Sequence, residues 1–312
     1  MKLSRFFILP AAALLLAGCA IDDAPTENSR PAGLSGVRFI HAIADEGAVD
    51  ARMYDQTEWS SYALGINFRQ SGAIHPTEPG TRPIRVFRAS TDIDAIDDIL
   101  IEQTVDIPAG QPLVTLLLTG SVQSGTAQIQ VITGSVPDST AGSVHYRVFN
   151  ATGTPYVARY EDVGGEGGSF TVNQFSGSEY QTRAVGTAYM VTAFWDPGDP
   201  GTIFGGGHPT EDIWNPNFPW SIPWANNRSA MPLRAPEANG IGATAGSRAS
   251  GSAMSAFIFP ASVAGTRAPR DPVPVPPDPE EEDADLWIPP PPFYNTPNIV
   301  WFIDRVPAPP RF

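Results

Sequence analysis

The sequence of 312 residues contains a single cysteine, Cys19, and a single lysine, Lys2. One cysteine excludes an intrachain disulfide framework and a zinc site built from several thiolates. Basic side chains are also scarce, because 19 Lys and Arg residues face 33 Asp and Glu residues and the formal net charge is −14. A chain this acidic is a poor partner for nucleic acid or for an anionic lipid surface.

Long apolar runs and helical patterns are rare as well. The apolar run over residues 6–17 is too short for a transmembrane helix, which needs about 20 apolar residues, and Pro10 interrupts it. Proline and glycine are abundant, with 33 and 29 copies. No window of about a dozen residues keeps a helical apolar period free of both. The sequence therefore predicts an all-β fold.

The first 18 residues are organised like a bacterial signal peptide. Lys2 and Arg5 precede the apolar run, and the tripeptide Leu-Ala-Gly precedes Cys19. This ending resembles the lipobox of bacterial lipoproteins and implies that Cys19 is lipidated and holds the chain at a membrane. The alternative is an ordinary signal peptide with an accidental cysteine beside it.

The lipobox resemblance also implies a location. Ala20 follows Cys19, whereas an aspartate at that position retains lipoproteins of enteric bacteria in the inner membrane. We therefore expect a lipid-anchored protein of the outer membrane in the cell envelope, with residues 1–18 as the lipoprotein signal peptide and residues 19–35 as a flexible tether.

The sequence contains an internal repeat. The matching segments are residues 37–42 and 146–151 (offset 109), 49–53 and 156–160 (107), Gly80 and Gly186 (106), 113–118 and 254–259 (141), and 129–133 and 299–303 (170). The offset grows only at Gly- and Pro-rich stretches, as expected for two copies of one domain that differ by surface-loop insertions.

These matches predict domain 1 over residues 36–137 and domain 2 over residues 142–307, with insertions in domain 2 near 196–249 and 266–297. Domain 1 has seven segments with strand character. They are residues 36–43, 48–54, 64–70, 83–89, 98–107, 112–119 and 127–133. Seven strands in about one hundred residues are typical of an immunoglobulin-like β-sandwich, so we expect two tandem sandwiches.

Residues 37–42 followed by residues 48–50, and residues 107–110 before an apolar strand, resemble the bacterial secreted family called domain of unknown function 4397. The motifs match closely in the first copy and loosely in the second, where Asn150 replaces His41. The resemblance implies an immunoglobulin-like sandwich on an exported protein, often a lipoprotein, and it supplies no catalytic residue.

Four histidines are the first candidates for chemistry, namely His41, His75, His145 and His208. None has a second His or Cys at the spacing of metal ligands, so we expect no zinc site. We predict instead that His41 ends a strand and bonds to a neighbouring loop, a role that Asn150 can fill in the other copy.

Carboxylates are the second candidates. Asp92, Asp94, Asp97 and Asp98 cluster in one hairpin loop, and oxygen ligands suit Ca²⁺, but their spacing does not match an EF-hand. We expect a solvated acidic loop, with calcium binding as the alternative. The acidic run over residues 280–285 lies between prolines and is typical of an exposed tether.

Trp214, Trp220 and Trp224 are interleaved with prolines in the first insertion. Such a stiff apolar loop cannot form a strand. It either covers a sheet face or forms a binding platform, because aromatic rings stack on sugars and are common in protein interfaces. We predict that Trp214 is buried and that Trp220 or Trp224 is exposed and contacts a ligand or partner.

No serine lies in the nucleophile pattern G-x-S-x-G, and the glycine-rich residues 164–168 do not follow the phosphate-loop pattern G-x-G-x-x-G. We therefore expect a non-catalytic cell-envelope lipoprotein with a binding or scaffolding role. Its expected partners are the membrane, through the lipid anchor, and an envelope protein or polysaccharide, with no cofactor, metal or nucleic acid. The alternative is a carbohydrate-binding or weakly carbohydrate-active protein that uses the Trp-rich insertion.

Overall fold

In a computed structural model, the described part of the chain is built from β-strands. The described residues are 33–55, 63–91, 98–153, 156–162, 167–186, 189–195, 228–230, 245–272 and 294–305. They form fifteen strands and no α-helix, which confirms the all-β prediction. Within these ranges, no helix has the length and apolarity needed to cross a membrane.

The strands fall into two groups along the chain. The first group is β1 (Ser35–His41), β2 (Val49–Met53), β3 (His75–Thr77), β4 (Gly80–Arg88), β5 (Ile99–Ile107), β6 (Val114–Thr119) and β7 (Gln128–Ile132). The second group is β8 (Ser143–Asn150), β9 (Tyr156–Asp162), β10 (Gly167–Val172), β11 (Gln181–Ala184), β12 (Tyr189–Trp195), β13 (Arg228–Ala230), β14 (Ala253–Phe259) and β15 (Asn298–Arg305).

Each group of strands forms two sheets. The first group gives sheet I, with strand order β2-β4-β5, and sheet II, with order β3-β1-β6-β7. The second group gives sheet III, with order β11-β8-β14-β15, and sheet IV, with order β10-β9-β12-β13. Buried side chains connect sheet I to II, II to III and III to IV, so the four sheets stack in that order.

Sheets II and III are covered on both faces because successive side chains of a strand point in opposite directions. Odd-numbered positions of β1, such as Val37 and Phe39, enter the core between sheets I and II. Even-numbered positions of the same strand face sheet III. The core between sheets II and III consists of Ile40, Ala42, Leu117, Ile132, Phe149, Ala151, Phe257, Phe259 and Phe302.

The second group of strands repeats the pairing of the first. β1 lies parallel to β6 and β8 lies parallel to β14, while β7 and β15 pair antiparallel with those central strands. The likeness extends to the backbone. Arg69 and Phe175 are the two non-glycine residues with positive φ among those described (+66° and +49°), and each precedes the residue whose carbonyl accepts from the last amide of β1 or β8. Gly80 and Gly186 also have positive φ (+114° and +99°).

The pairing corrects two of the predicted offsets by one residue. Leu116 opposes Phe39 as Ala256 opposes Val148, so the central strands match at an offset of 140 rather than 141. Likewise β4 and β12 match at 107 rather than 106. A shift of one residue exchanges the two faces of a strand, and only the corrected offsets keep equivalent side chains in equivalent cores.

The predicted third strand, residues 64–70, is wrong. Gly65 and Arg69 have left-handed φ values of +63° and +66°, which interrupt an extended conformation. The segment is a turn that makes an isolated bridge through Ile66 to Val49, and the strand that joins sheet II is β3. The other six predicted strands of this domain are confirmed as β1, β2, β4, β5, β6 and β7.

Two segments near the predicted insertions also form strands. The short strand β13 lies inside the predicted insertion 196–249 and pairs with β12. At the end of the chain, β15 contains the predicted strand 299–303, pairs with β14, and buries Ile299 and Phe302.

Candidate functional site

Sheets II and III enclose a group of polar side chains, which we call the interface cluster. Its members are Arg38 on β1, Thr115 on β6, Arg147 on β8, Tyr180 before β11, Ser255 on β14 and Asp304 on β15. All are buried except Tyr180, which is half-buried. A buried charge is costly unless it is paired, so the partners of each group determine what the cluster does.

Arg38 is fully paired. Its Nε donates to Thr115 Oγ1 (3.0 Å), its Nη1 donates to the Ile303 carbonyl (2.7 Å), and its Nη2 donates to Asp304 Oδ1 (2.6 Å). The side chains of Arg38 and Asp304 are 2% and 0% exposed. This ion pair therefore joins β1 of sheet II to β15 of sheet III.

The second oxygen of Asp304 is also occupied. Its Oδ2 accepts hydrogen bonds from Tyr180 Oη (2.7 Å) and Ser255 Oγ (2.5 Å). Burial raises the pKa of Tyr180, and the negative charge of Asp304 raises it further. The phenol therefore stays protonated at neutral pH and remains a donor to Asp304.

Arg147 occupies the position in β8 that Arg38 occupies in β1. Its Nε donates to Ser255 Oγ (2.9 Å), as Arg38 Nε donates to Thr115 Oγ1, and its guanidinium lies 4.6 Å from the centre of the Tyr180 ring. Among the described residues, no carboxylate forms a salt bridge with Arg147. At the offset of 170 that relates β7 to β15, Asp304 corresponds to Gly134, which has no side chain.

A cleft lies beside Arg147 where that side chain is missing. It has a volume of about 150 Å³ and is lined by Ile132, Thr133, Gly134, Ser135, Arg147, Phe149, Gly177, Ser178, Glu179 and Tyr180. A Cβ atom on Gly134 would lie 3.2 Å from Arg147 Nη1. The cleft therefore presents an arginine that is 8% exposed, with exposed Glu179 also in its lining.

Arg69 is a second buried cation that joins the two groups of strands. Its Nη2 donates to the carbonyls of Pro260 (2.5 Å) and Thr296 (2.6 Å), which flank the segment between β14 and β15. Burial lowers the pKa of Arg69 to about 10, and the charge of nearby Asp271 opposes that fall. Arg69 thus remains charged at neutral pH and holds this segment against sheet II.

His41 ends β1 and is fully buried, as the strand-end prediction requires. Its Nδ1 accepts from the Ile43 amide (3.3 Å), and its Nε2 donates to the Gly47 carbonyl (2.6 Å) in the following loop. Only the neutral ring with the proton on Nε2 can make both bonds. Burial lowers the pKa of His41 to about 4, which keeps the ring neutral at pH 7.

Asn150 makes the equivalent bonds at the end of β8. Its Oδ1 accepts from the Thr152 amide (2.9 Å), and its Nδ2 donates to the Val172 carbonyl (3.2 Å). Each strand end therefore uses one acceptor toward the residue two positions ahead and one donor toward a carbonyl beyond the strand. The predicted equivalence of His41 and Asn150 is confirmed.

The residues predicted to bind a lipid or a partner lie outside the described ranges. They are Cys19, Trp214, Trp220 and Trp224. His208 and the predicted acidic tether over residues 280–285 also lie outside the described ranges. The acidic hairpin loop is described only at Asp98, whose carboxylate pairs with Arg88 (3.2 Å). No group of three or more potential metal ligands occurs among the described residues.

Sequence reasoning did not identify the interface cluster. The available signal was an arginine between apolar neighbours at the same position of two strands, Arg38 in β1 and Arg147 in β8. Because an unpaired arginine is rarely buried, this repeated pattern indicates a polar interface on the second face of each strand.

A comparison with protein families finds a match to one part of the chain. Residues 35–160 match the family described as Domain of unknown function (DUF4397). The chain therefore contains one DUF4397 domain over these residues, as the motifs near His41 and Pro108 predicted. The match covers sheets I and II and continues through β8 into β9, so it contains both Arg38 and Arg147. A comparison with curated proteins gives no match.

Proposed function

We propose that this chain is a non-catalytic protein of the bacterial cell envelope, anchored to the outer membrane through a lipidated Cys19. Its folded part is a binding or scaffolding body made of two immunoglobulin-like sandwiches, sheets I and II forming one and sheets III and IV the other. The second sandwich is a further, more divergent copy of the DUF4397 domain.

The repeated pairing supports the two-sandwich proposal. β1 with β6 and β8 with β14 are both parallel pairs at the centre of a sheet, and each of these sheets has a second sheet on its outer face. Two packed sheets with a shared apolar core are the defining feature of a sandwich. The equivalent bonds of His41 and Asn150 extend the likeness to the strand ends.

The observation that carries the non-catalytic proposal is how the polar side chains are used. Arg38, Asp304, Arg69 and His41 are all buried and are bonded to the backbone or to one another. General acid–base and nucleophilic catalysis require such groups to reach a substrate. Here they join sheets and loops, as expected of a rigid body that presents its outer surface to a partner.

The anchor is tested by replacing Cys19 with serine in the full chain expressed in a bacterium. The unchanged chain should incorporate labelled palmitate and fractionate with the outer membrane, whereas Cys19→Ser should do neither. Palmitate incorporation by the Cys19→Ser variant would overturn the anchor assignment. Palmitate incorporation by the unchanged chain with recovery in the inner membrane would overturn only the outer-membrane assignment.

The binding role is tested at the Trp-rich insertion. β13 and buried Ala245 lie within the predicted insertion 196–249, so single substitutions disturb the fold less than a deletion of the insertion would. Trp220→Ala and Trp224→Ala should each weaken capture of an envelope protein or polysaccharide, with melting temperatures close to that of the unchanged chain. Tyr54→Ala, an exposed aromatic elsewhere, is the control. Equal capture by all four chains would remove the insertion from the binding role.

A further inference from the structure

We infer that the cleft beside Arg147 is a carboxylate-binding site, in which a small carboxylate ligand takes the place that the Asp304 side chain fills on the other side of the interface. The inference goes beyond the proposed scaffolding function. It depends only on the packing of sheets II and III and would hold for a chain with or without a lipid anchor.

The first support is the approximate two-fold relation across the interface. Equivalent positions contribute equivalent apolar side chains to it, such as Ile40 with Phe149 and Ile132 with Phe302. The relation holds for the hydrogen bond from each arginine Nε to a hydroxyl on the neighbouring parallel strand. It fails where each arginine faces the outer strand, because the Ile303 carbonyl and the Asp304 carboxylate that accept from Arg38 have no counterparts bonded to Arg147.

The second support is the charge of the interface cluster. It contains two guanidinium groups and one carboxylate, and Asp304 uses both oxygens on Arg38, Tyr180 and Ser255. One positive charge is left at Arg147, a residue that is more than nine-tenths buried. The exposed carboxylate of Glu179 also lines the cleft but forms no salt bridge with Arg147. In the described part of the chain, neither Nη1 nor Nη2 of Arg147 donates a hydrogen bond. Such a cation gains from a charge-assisted partner.

The third support is the shape of the cleft. Its volume of about 150 Å³ is lined by both Arg147 and Gly134, the residue that corresponds to Asp304. A planar carboxylate can accept from both Nη atoms of one arginine. Apolar Ile132 and Phe149 line the same space, which suits the short carbon chain of an organic acid better than a fully hydrated inorganic ion.

The experiment titrates the full chain with sodium acetate at constant ionic strength, by calorimetry and by thermal melting. We expect saturable binding at one site, weakened at least tenfold in Arg147→Gln and less strongly in Arg147→Lys, which keeps the charge but loses the planar fork. Arg85→Gln, which removes an exposed arginine on β4, should bind acetate like the unchanged chain. Equal binding by Arg147→Gln and the unchanged chain would overturn the inference.

A second pair of variants supplies the missing carboxylate within the chain. Gly134→Asp should be more stable than Gly134→Ala and should no longer respond to acetate, because its own side chain occupies the site. Both variants place a Cβ at the same φ of +157°, so any backbone strain cancels in their comparison. Equal stability of the two variants would overturn the inference. Inorganic phosphate binding as tightly as acetate in the unchanged chain would likewise overturn the carboxylate preference.

Discussion

At the end of β1, two hydrogen bonds fix the protonation state of a buried ring. His41 Nδ1 must be an acceptor for the Ile43 amide, and Nε2 must carry the proton for the Gly47 carbonyl. A second proton on Nδ1 would break the first bond and place a charge in an apolar site beside Phe68. The folded state therefore binds this proton more weakly than the unfolded chain does.

The expected consequence is a loss of stability on acidification. The pKa of His41 is about 4 in the folded state, below its ordinary value of 6.5. The stability that the neutral ring contributes is therefore present above pH 6.5, falls as the pH drops from 6.5 toward 4, and is constant below that range. Between pH 7 and pH 4.5 the loss due to His41 should be about 2 to 3 kcal/mol.

Urea melts of the unchanged chain and of His41→Asn, at pH 7 and pH 4.5, measure this loss. His41→Asn uses the side chain found at the equivalent position of β8 and has no titrating group. Between pH 7 and pH 4.5 its free energy of unfolding should therefore fall by about 2 to 3 kcal/mol less than that of the unchanged chain. Carboxylates contribute to both chains and cancel in the difference. The same pH dependence for both chains would contradict a neutral buried His41.

The ion pair between Arg38 and Asp304 gives a second prediction at the residue scale. Asp304→Asn should lower the free energy of unfolding by about 3 to 5 kcal/mol, because it leaves the charge of Arg38 buried without a counter-ion. Glu78→Gln removes the exposed carboxylate of the Arg82 pair and should cost less than about 1 kcal/mol. Denaturant melts at pH 7 compare the two, and similar losses would show that Arg38 is not desolvated.

At the scale of elements, β15 is attached to the rest of the fold by its full length. It pairs with β14 from Asn298 to Arg305, and Asp304 and Phe302 project toward sheet II. Two residues shortly before β15 are also held in place, since Asp271 Oδ2 accepts hydrogen bonds from the amides of Tyr294 (2.7 Å) and Asn295 (2.8 Å).

A truncation and an internal deletion should therefore differ in effect. Ending the chain after Pro297 removes β15 and should abolish the cooperative thermal transition, because the apolar edge of β14 becomes exposed. Deleting residues 275–285 removes a proline-rich acidic segment and leaves Asp271 in place, so the melting temperature should change little. Circular dichroism melts of the two variants test this. A truncated chain that melts like the full chain would show that β15 is dispensable.

The strands of the first domain could be read from the sequence where apolar runs are bounded by turn residues. β6 is the clearest example, because its continuous apolar run predicts the strand over residues 112–119, and Val114–Thr119 is fully buried. The strand predicted over residues 64–70 is wrong because its apolar pattern is that of a strand, with Ile66 and Phe68 two positions apart and both buried. Left-handed φ values at Gly65 and Arg69 instead make it a turn.

The interface cluster could not be predicted in the same way. The repeat located Arg38 and Arg147 at equivalent positions, but the partner of Arg38 lies 266 residues along the chain. Such a contact follows from the stacking of sheets II and III, which no local pattern specifies. The offset at β15 does relate Asp304 to Gly134, so the missing carboxylate is visible in the sequence once the stacking is known.

For the whole molecule, the core between sheets II and III decides whether the two groups of strands unfold together. Nine buried apolar residues form that core, with the rings of Phe257 and Phe149 5.1 Å apart and those of Phe257 and Phe302 5.4 Å apart. Independent domain motion is expected only when an interface is small or polar. We therefore expect one cooperative unfolding transition for the described sheets.

Ile84→Ala provides the test, because Ile84 lies on β4 in the core between sheets I and II, remote from sheets III and IV. The substitution should lower the free energy of unfolding by about 2 to 5 kcal/mol. If the sheets unfold as one unit, native-state hydrogen exchange should speed up equally for the most protected amides of β4 and of β14. Faster exchange confined to β4 and its neighbours in sheets I and II would contradict a single cooperative unit. Adding Phe257→Ala removes the central ring between sheets II and III. In this double variant the amides of β4 and of β14 should no longer speed up equally, because the second group of strands loses its main contact with the first.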